Sequence, residues 1–94
     1  MIFKISEEFS RHPGSREHGR ELRVILAYAL IQALVKNERL IVNLDGTFGY
    51  ASSFLDAAFG GLVRKTSPEV LRHIEFVSIE QPDLIFEILK YMRG

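Results

Sequence analysis

The sequence predicts an α/β fold with a small, mainly parallel sheet and about three main helices. Short runs of branched apolar residues alternate along the chain with longer segments in which apolar residues recur every three or four positions. The first pattern is typical of strands and the second of helices. The resulting order of strand and helix, repeated three times, favours parallel strands joined by right-handed crossovers. Because 94 residues suffice for one domain, we expect residues 1–94 to form a single domain.

The first predicted elements are a strand at residues 2–5 and a long loop at residues 10–19. Ile2, Phe3 and Ile5 are the apolar residues of the strand. The loop contains a proline, two glycines and two histidines, and proline and glycine disfavour regular structure. We therefore expect the first helix to begin near Arg20.

This first helix is apolar on two sides and ends at Lys36-Asn37, a basic residue followed by one that tolerates the left-handed conformation. One stripe would face the sheet and consists of Leu22, Ile25, Leu26, Ala29, Leu30, Ala33 and Leu34. The second stripe consists of Val24, Tyr28, Ile31 and Val35. A helix that is apolar nearly all round is covered on more than one side. We predict that the second stripe mediates a homodimer.

The remaining elements follow without a linker. Residues 40–44 are a continuous apolar and branched run, which predicts a strand buried on both faces. A second helix is predicted over residues 53–65, and Ser67-Pro68 indicates a short capped turn. Residues 74–79 predict a third strand, and Gln81-Pro82-Asp83 opens a last helix.

The loop after residue 44 is where we expect the functional site, because loops at the carboxyl ends of parallel strands carry function. Ser52 and Ser53 stand at a helix start, where free backbone N–H groups and the helix dipole favour negative charge. Ser53 followed by Asp56 also matches a capping box, which has no functional meaning. The segment has neither the lysine of a Walker loop nor the G-x-S-x-G pattern of a nucleophile elbow.

Residues 53–60 read Ser-Phe-Leu-Asp-Ala-Ala-Phe-Gly. This segment resembles the Ser-Phe-Leu-Asp-x-x-Phe-Gly hallmark of the bacterial and archaeal STAS-like domains, whose function is unassigned. Residues 44–55 are also similar to STAS domains of anti-sigma factor antagonists. The Lys-Ile-Ser-Glu-Glu-Phe start, the Pro-Gly-x-Arg loop and a Phe-Val strand near the end extend the resemblance over most of the chain.

The resemblance implies a non-enzymatic regulatory module that binds a protein, such as a histidine-kinase-like ATPase. It places Ser52 on the serine that the antagonists' partner kinase phosphorylates and Ser53 on the next one. Ala51 stands where the antagonists have an acidic residue, and Phe54 where they have glycine. Both serines are therefore candidate phosphorylation sites in a sequence that lacks the neighbouring acid.

The predicted partner-binding surface runs from residue 47 to residue 64. Asp56, Gly60 and Arg64 fall in one row of the second helix at four-residue spacing. The alternative for Gly60-Gly61 is tight packing inside the domain. The full predicted surface comprises Thr47, Phe48, Tyr50, Ser52, Asp56, Gly60 and Arg64.

Composition excludes several other classes. Twelve basic and twelve acidic residues give zero net charge, unlike a nucleic-acid-binding domain. The chain has no cysteine, and its three histidines lack metal-site spacing, so we expect no metal and no cofactor. No segment is long and apolar enough to span a membrane, and we expect a cytoplasmic protein. Two alternatives stay open: a small-ligand-binding or catalytic domain that uses the loop after residue 44, and a structural homo-oligomer.

Overall fold

A three-stranded parallel sheet and a layer of helices make up the computed structural model, which describes all 94 residues. The strands are β1 (Ile2–Lys4), β2 (Leu40–Asn43) and β3 (Ile74–Val77), in the order β1-β2-β3. Both strand pairs are parallel. The α/β fold predicted from the alternating patterns is thus confirmed.

The helices are α1 (Ile5–Glu8), α2 (Arg16–Val35), α3 (Ser52–Leu55), α4 (Gly61–Lys65) and α5 (Asp83–Arg93). A π-helical segment, Asp56–Gly60, joins α3 to α4, so residues 52–65 form one continuous helical segment. A 3₁₀ turn, Pro68–Arg72, precedes β3, and its cap is Ser67 as predicted. None of the helices is both long and apolar enough to cross a bilayer.

Only one face of the sheet is covered. On this face Phe3 and Val42 are neighbours across β1 and β2, and both are buried. On the opposite face Ile2, Ile41 and Glu75 are aligned, and none of them is buried. Right-handed crossovers between strands that follow chain order place successive helices on the same face. The prediction that residues 40–44 are buried on both faces is therefore wrong.

Twenty buried apolar residues form one core between the sheet and the helices. Phe54 and Phe59, the aromatic residues of the Ser-Phe-Leu-Asp-x-x-Phe-Gly segment, are completely buried. Burial of a side chain of this size stabilises a fold by about 1.5–3 kcal/mol. This segment therefore supplies the centre of the core as well as the edge of the candidate site.

Several element boundaries differ from prediction. Helix α2 begins at Arg16, four residues early, because the Ser15 side chain accepts a hydrogen bond from the His18 N–H at 3.0 Å and caps it. Strand β1 ends at Lys4, and Ile5 already belongs to α1. Asn37 adopts a φ of +57° after α2, as its position at the helix end predicts.

The second apolar stripe of α2 lies outside the core. The exposed fractions are 48% for Val24, 69% for Tyr28, 57% for Ile31 and 81% for Val35. Ile25 and Leu34, which were expected to face the sheet, are also exposed, at 37% and 46%. No element of the chain covers this side of the helix.

Candidate functional site

The loops that follow β2 and β3 are joined through Asp45 and Glu80. The Asp45 carboxylate accepts hydrogen bonds from the backbone N–H of Ile79 at 2.9 Å and of Glu80 at 3.0 Å, and from the Ser78 hydroxyl at 3.1 Å. The Glu80 carboxylate in turn accepts one from the Gly46 N–H at 2.8 Å. These bonds fix the predicted functional loop against its neighbour at the carboxyl edge of the sheet.

These donors also decide the ionisation of Asp45. Burial by itself would raise the pKa of the carboxyl, but the Ile79 and Glu80 N–H groups and the Ser78 hydroxyl outweigh it and lower the pKa. Hydrogen bonds that favour the charged form act in this direction. Asp45 is thus an ionised hydrogen-bond acceptor that holds two loops together.

A largely polar pocket of about 300 Å³ lies between these loops. Its lining residues are Leu44, Asp45, Thr47, Phe48, Gly49, Ser78, Glu80 and Gln81. Ser78 is the hydroxyl nearest to an acid there, at 3.1 Å from Asp45. A general base works best with a pKa near the working pH, and the lowered pKa of Asp45 moves that group away from it.

Phe48 is exposed and yet held in place. Its ring stacks on His12 with centroids 4.8 Å apart and planes 11° apart, and 78% of the residue is exposed. Its N–H donates to the Arg11 carbonyl at 2.9 Å, and the Ala51 N–H donates to the Pro13 carbonyl at 3.2 Å. The loop before α2 therefore lies along the loop after β2 and supports the aromatic ring.

Tyr50 points inwards, in contrast to the prediction that it belongs to an exposed partner-binding surface. Its hydroxyl donates to the Leu44 carbonyl at 2.7 Å, and its ring lies 6.0 Å from that of Phe54. Burial raises the pKa of Tyr50 to about 12, and the charges of Asp45 and Glu80 act in the same direction. Tyr50 is thus a neutral phenol that braces the loop.

The serines at the start of α3 do not cap it. Ala51 occupies the N-cap position, without a side-chain hydrogen bond, so the predicted Ser53–Asp56 capping box is wrong. Ser52 is exposed and Ser53 is half-buried. The Ser52 hydroxyl is therefore accessible and free of a structural role.

Asp56 is held instead by two arginines. Its carboxylate oxygens each accept one hydrogen bond, from Arg16 at 3.1 Å and from Arg64 at 3.1 Å. The bond from Arg64 is the main cause of the lowered pKa of Asp56, although burial opposes it, and Arg16 contributes further. The Arg of the Pro-Gly-x-Arg loop and the Asp of the Ser-Phe-Leu-Asp helix start are thus joined across 40 positions.

Gly60 is buried, which corrects its assignment to the partner-binding surface. A Cβ atom at this position would lie 2.8 Å from both Asp56 Oδ1 and Arg64 Nη1, and 3.2 Å from the Tyr91 carbonyl. The glycine makes room for the ion pair and for α5. The alternative role in tight internal packing fits the structure.

Of the seven residues predicted for the surface, Gly60 is buried and Tyr50 directs its hydroxyl inwards. The other five keep at least part of their side chains in solvent: Thr47, Phe48, Ser52, Asp56 and Arg64. We call these five residues the loop surface. Sequence reasoning missed the roles of His12, Arg16 and Asp45. The Pro-Gly-x-Arg pattern was the one available signal, and it pointed to Arg16.

Comparison with known protein families gave one result. A family model described as STAS-like domain of unknown function (DUF4325) matches residues 18–84. Searches of curated proteins and of solved structures found no match.

Proposed function

Since the chain belongs to the STAS-like domain family of unknown function, we propose that it is a non-enzymatic regulatory module that binds a protein partner through the loop surface. The observation that carries this proposal is Phe48, which is 78% exposed although the loop before α2 contacts it. Rigid aromatic side chains supply much of the binding energy at protein interfaces. Stacking on His12 and the hydrogen bond to Arg11 fix the ring before any partner arrives.

The rest of the loop surface suits a polar rim around such an aromatic residue. Asp56 and Arg64 form an ion pair at 3.1 Å with side chains 27% and 55% exposed. Their partly exposed charges can select a partner of complementary charge and raise the rate of association. A surface with one aromatic anchor and a charged rim is typical of transient binding between proteins.

Ser52 is the candidate switch of this surface. Its hydroxyl is exposed and lies one helical turn before Asp56, on the same side of the segment. Phosphorylation would add about two negative charges beside the ion pair of Asp56 with Arg16 and Arg64. We propose a histidine-kinase-like ATPase as partner and kinase, on the basis of the resemblance to anti-sigma factor antagonists.

The first experiment compares capture of native-lysate proteins by the wild type, Phe48→Ala and Phe86→Ala. Phe86 is a matched control, because it is 73% exposed on α5 and lies outside the loop surface. We expect a specific protein to be retained by the wild type and by Phe86→Ala, with at least tenfold less retained by Phe48→Ala. Equal retention by all three proteins would contradict the proposed surface.

The switch is tested by calorimetry with the captured protein once it has been purified. Ser52→Asp is expected to weaken binding severalfold, whereas Ser52→Ala is expected to bind like the wild type. Incubation of the captured protein with ATP and wild-type chain, followed by mass spectrometry, reports whether Ser52 receives a phosphate. Equal affinities for the two variants would contradict the switch but leave the surface intact.

The pocket of about 300 Å³ supports small-ligand binding as a second candidate function. Its volume lies at the lower end of the range for ligand sites. A metabolite screen by thermal shift tests it, with Gln81→Ala as the pocket variant and Phe86→Ala as the control. A compound that stabilises the wild type and the control but not Gln81→Ala would favour this function.

A further inference from the structure

The outward side of α2 carries a regular apolar ridge. Val24, Tyr28, Ile31 and Val35 follow one another at intervals of four, three and four residues. This spacing is the heptad repeat by which one helix packs along another. We call these four residues the outer ridge.

The outer ridge is large enough to nucleate an interface. The exposed fractions of its four residues correspond to an apolar strip on the order of 400 Å². Apolar patches of this size on a protein surface are often functional. A stable interface buries about 800 Å² on each partner, so the strip would form the apolar centre of the interface and the surrounding surface would supply the rest.

Two grooves border the outer ridge. One has a volume of about 460 Å³ and runs between α2 and α4, where Ala27 and Leu62 contribute to its walls. The other has a volume of about 340 Å³ and runs between α2 and β1, where Ile2 and Ile25 contribute. Tyr28 borders both grooves. An apolar ridge that borders an apolar groove can form a two-fold interface, because the ridge of each molecule packs into the groove of the other.

The charges along the same line of α2 disfavour a parallel pair of helices. Glu17 and Glu21 continue the heptad positions towards the start of the helix, and Lys36 directly follows its last turn. A parallel pair of helices would bring the glutamates of two copies together. An antiparallel pair centred between Tyr28 and Ile31 keeps these glutamates apart: Glu21 of one copy is level with Glu38 of the other, beyond the end of α2 and within two positions of Lys36.

We propose that a second copy of this chain covers the outer ridge in an antiparallel, two-fold symmetric pair of α2 helices. The interface shares no residue with the loop surface, so it does not rest on the proposed function. Each copy would present its loop surface to a partner in a bivalent arrangement.

The experiment is sedimentation equilibrium of the full chain from about 1 to 100 µM. The wild type is expected to approach twice the 10.8 kDa chain mass. Ile31→Glu is expected to stay at the monomer mass, and Phe86→Glu, a matched charge at an exposed apolar position outside the ridge, is expected to behave like the wild type. Circular dichroism melting verifies that all three proteins are folded.

A monomeric wild type at 100 µM would overturn the proposal, and so would a dimer that persists in Ile31→Glu. An equal loss of the dimer in Phe86→Glu would also overturn it, because that charge lies elsewhere on the surface.

Cysteine cross-linking tests the orientation, since the native chain has no cysteine. In the antiparallel pair, position 24 of one copy faces position 35 of the other, whereas the two copies of position 24 lie about 16 Å apart along the axis. A mixture of Val24→Cys and Val35→Cys is expected to form a disulfide-linked heterodimer on mild oxidation, and neither variant is expected to cross-link alone. Efficient cross-linking of Val24→Cys with itself would overturn the antiparallel arrangement.

Discussion

At the scale of single residues, the arrangement of the site depends on which groups form hydrogen bonds with each polar side chain. Asp56 has the correct spacing to cap α3 with Ser53, but Arg16 and Arg64 occupy its two carboxylate oxygens. The helix also begins at Ser52, so Ser53 lies inside its first turn and not at the N-cap position. The helix start is left without a side-chain cap, and the two serines are released from that role.

Removal of the Ser53 hydroxyl should therefore have little effect on stability. We expect Ser53→Ala to keep the free energy of unfolding of the wild type, whereas Ser15→Ala should lower it by about 1 kcal/mol, because Ser15 caps α2. Urea unfolding followed by circular dichroism measures both variants. A loss in Ser53→Ala as large as that in Ser15→Ala would show that Ser53 stabilises the helix start after all.

At the scale of secondary structure elements, close contact between α2 and the segment 52–65 positions Arg16 against Asp56. The contact depends on Gly19, since a Cβ atom there would lie 2.5 Å from the Phe54 carbonyl oxygen and 2.9 Å from Ala57 Cβ. The π-helical turn at residues 56–60 lies in the same region. Such turns are rare and often accompany functional sites.

Whether Gly19→Ala raises or lowers the free energy of unfolding tests this packing. Helix propensity alone predicts a gain of about 1 kcal/mol for alanine inside a helix, but overpacking against backbone atoms costs about 1–3 kcal/mol. We expect a net loss of stability, measured by urea unfolding. Gly14→Ala is the control for a Cβ atom in open space, because Gly14 lies in the loop before α2 and the nearest atom to its Cβ would be 3.8 Å away. A stabilised Gly19→Ala protein would refute the close contact.

At the scale of the whole molecule, two ionised aspartates hold parts of the chain that are far apart in sequence. Asp45 joins the loops after β2 and β3, and Asp56 joins the start of α2 to the segment 52–65. The pKa of each carboxyl is lowered from 3.8 in the folded protein. Their contribution to stability is present above pH 3.8 and is lost as the pH falls through the lower folded values.

Acid unfolding should follow from this linkage. We expect the free energy of unfolding to be nearly constant from pH 7 to about pH 5 and to fall below about pH 4. In Asp45→Asn the free energy of unfolding should fall less steeply with decreasing pH, because one of the two carboxyls with a lowered pKa has been removed. Urea unfolding at several pH values measures the slope for both proteins. Equal slopes for the wild type and Asp45→Asn would contradict the linkage through Asp45.

The amino-acid sequence alone was enough to predict the order of the elements, the parallel sheet and the family resemblance. These depend on local periodicity, on Ser67 and Asn37 at their turns, and on the Ser-Phe-Leu-Asp-x-x-Phe-Gly segment, all of which are visible over a few neighbouring positions. Four features became visible only in the folded chain: the partners of Asp56, the inward direction of the Tyr50 hydroxyl, the burial of Gly60 and the exposure of one sheet face. Each of these features depends on contacts between residues that lie far apart in sequence, or on the side of an element against which its neighbours pack. The periodicity of apolar residues along the chain does not say which distant residues will meet.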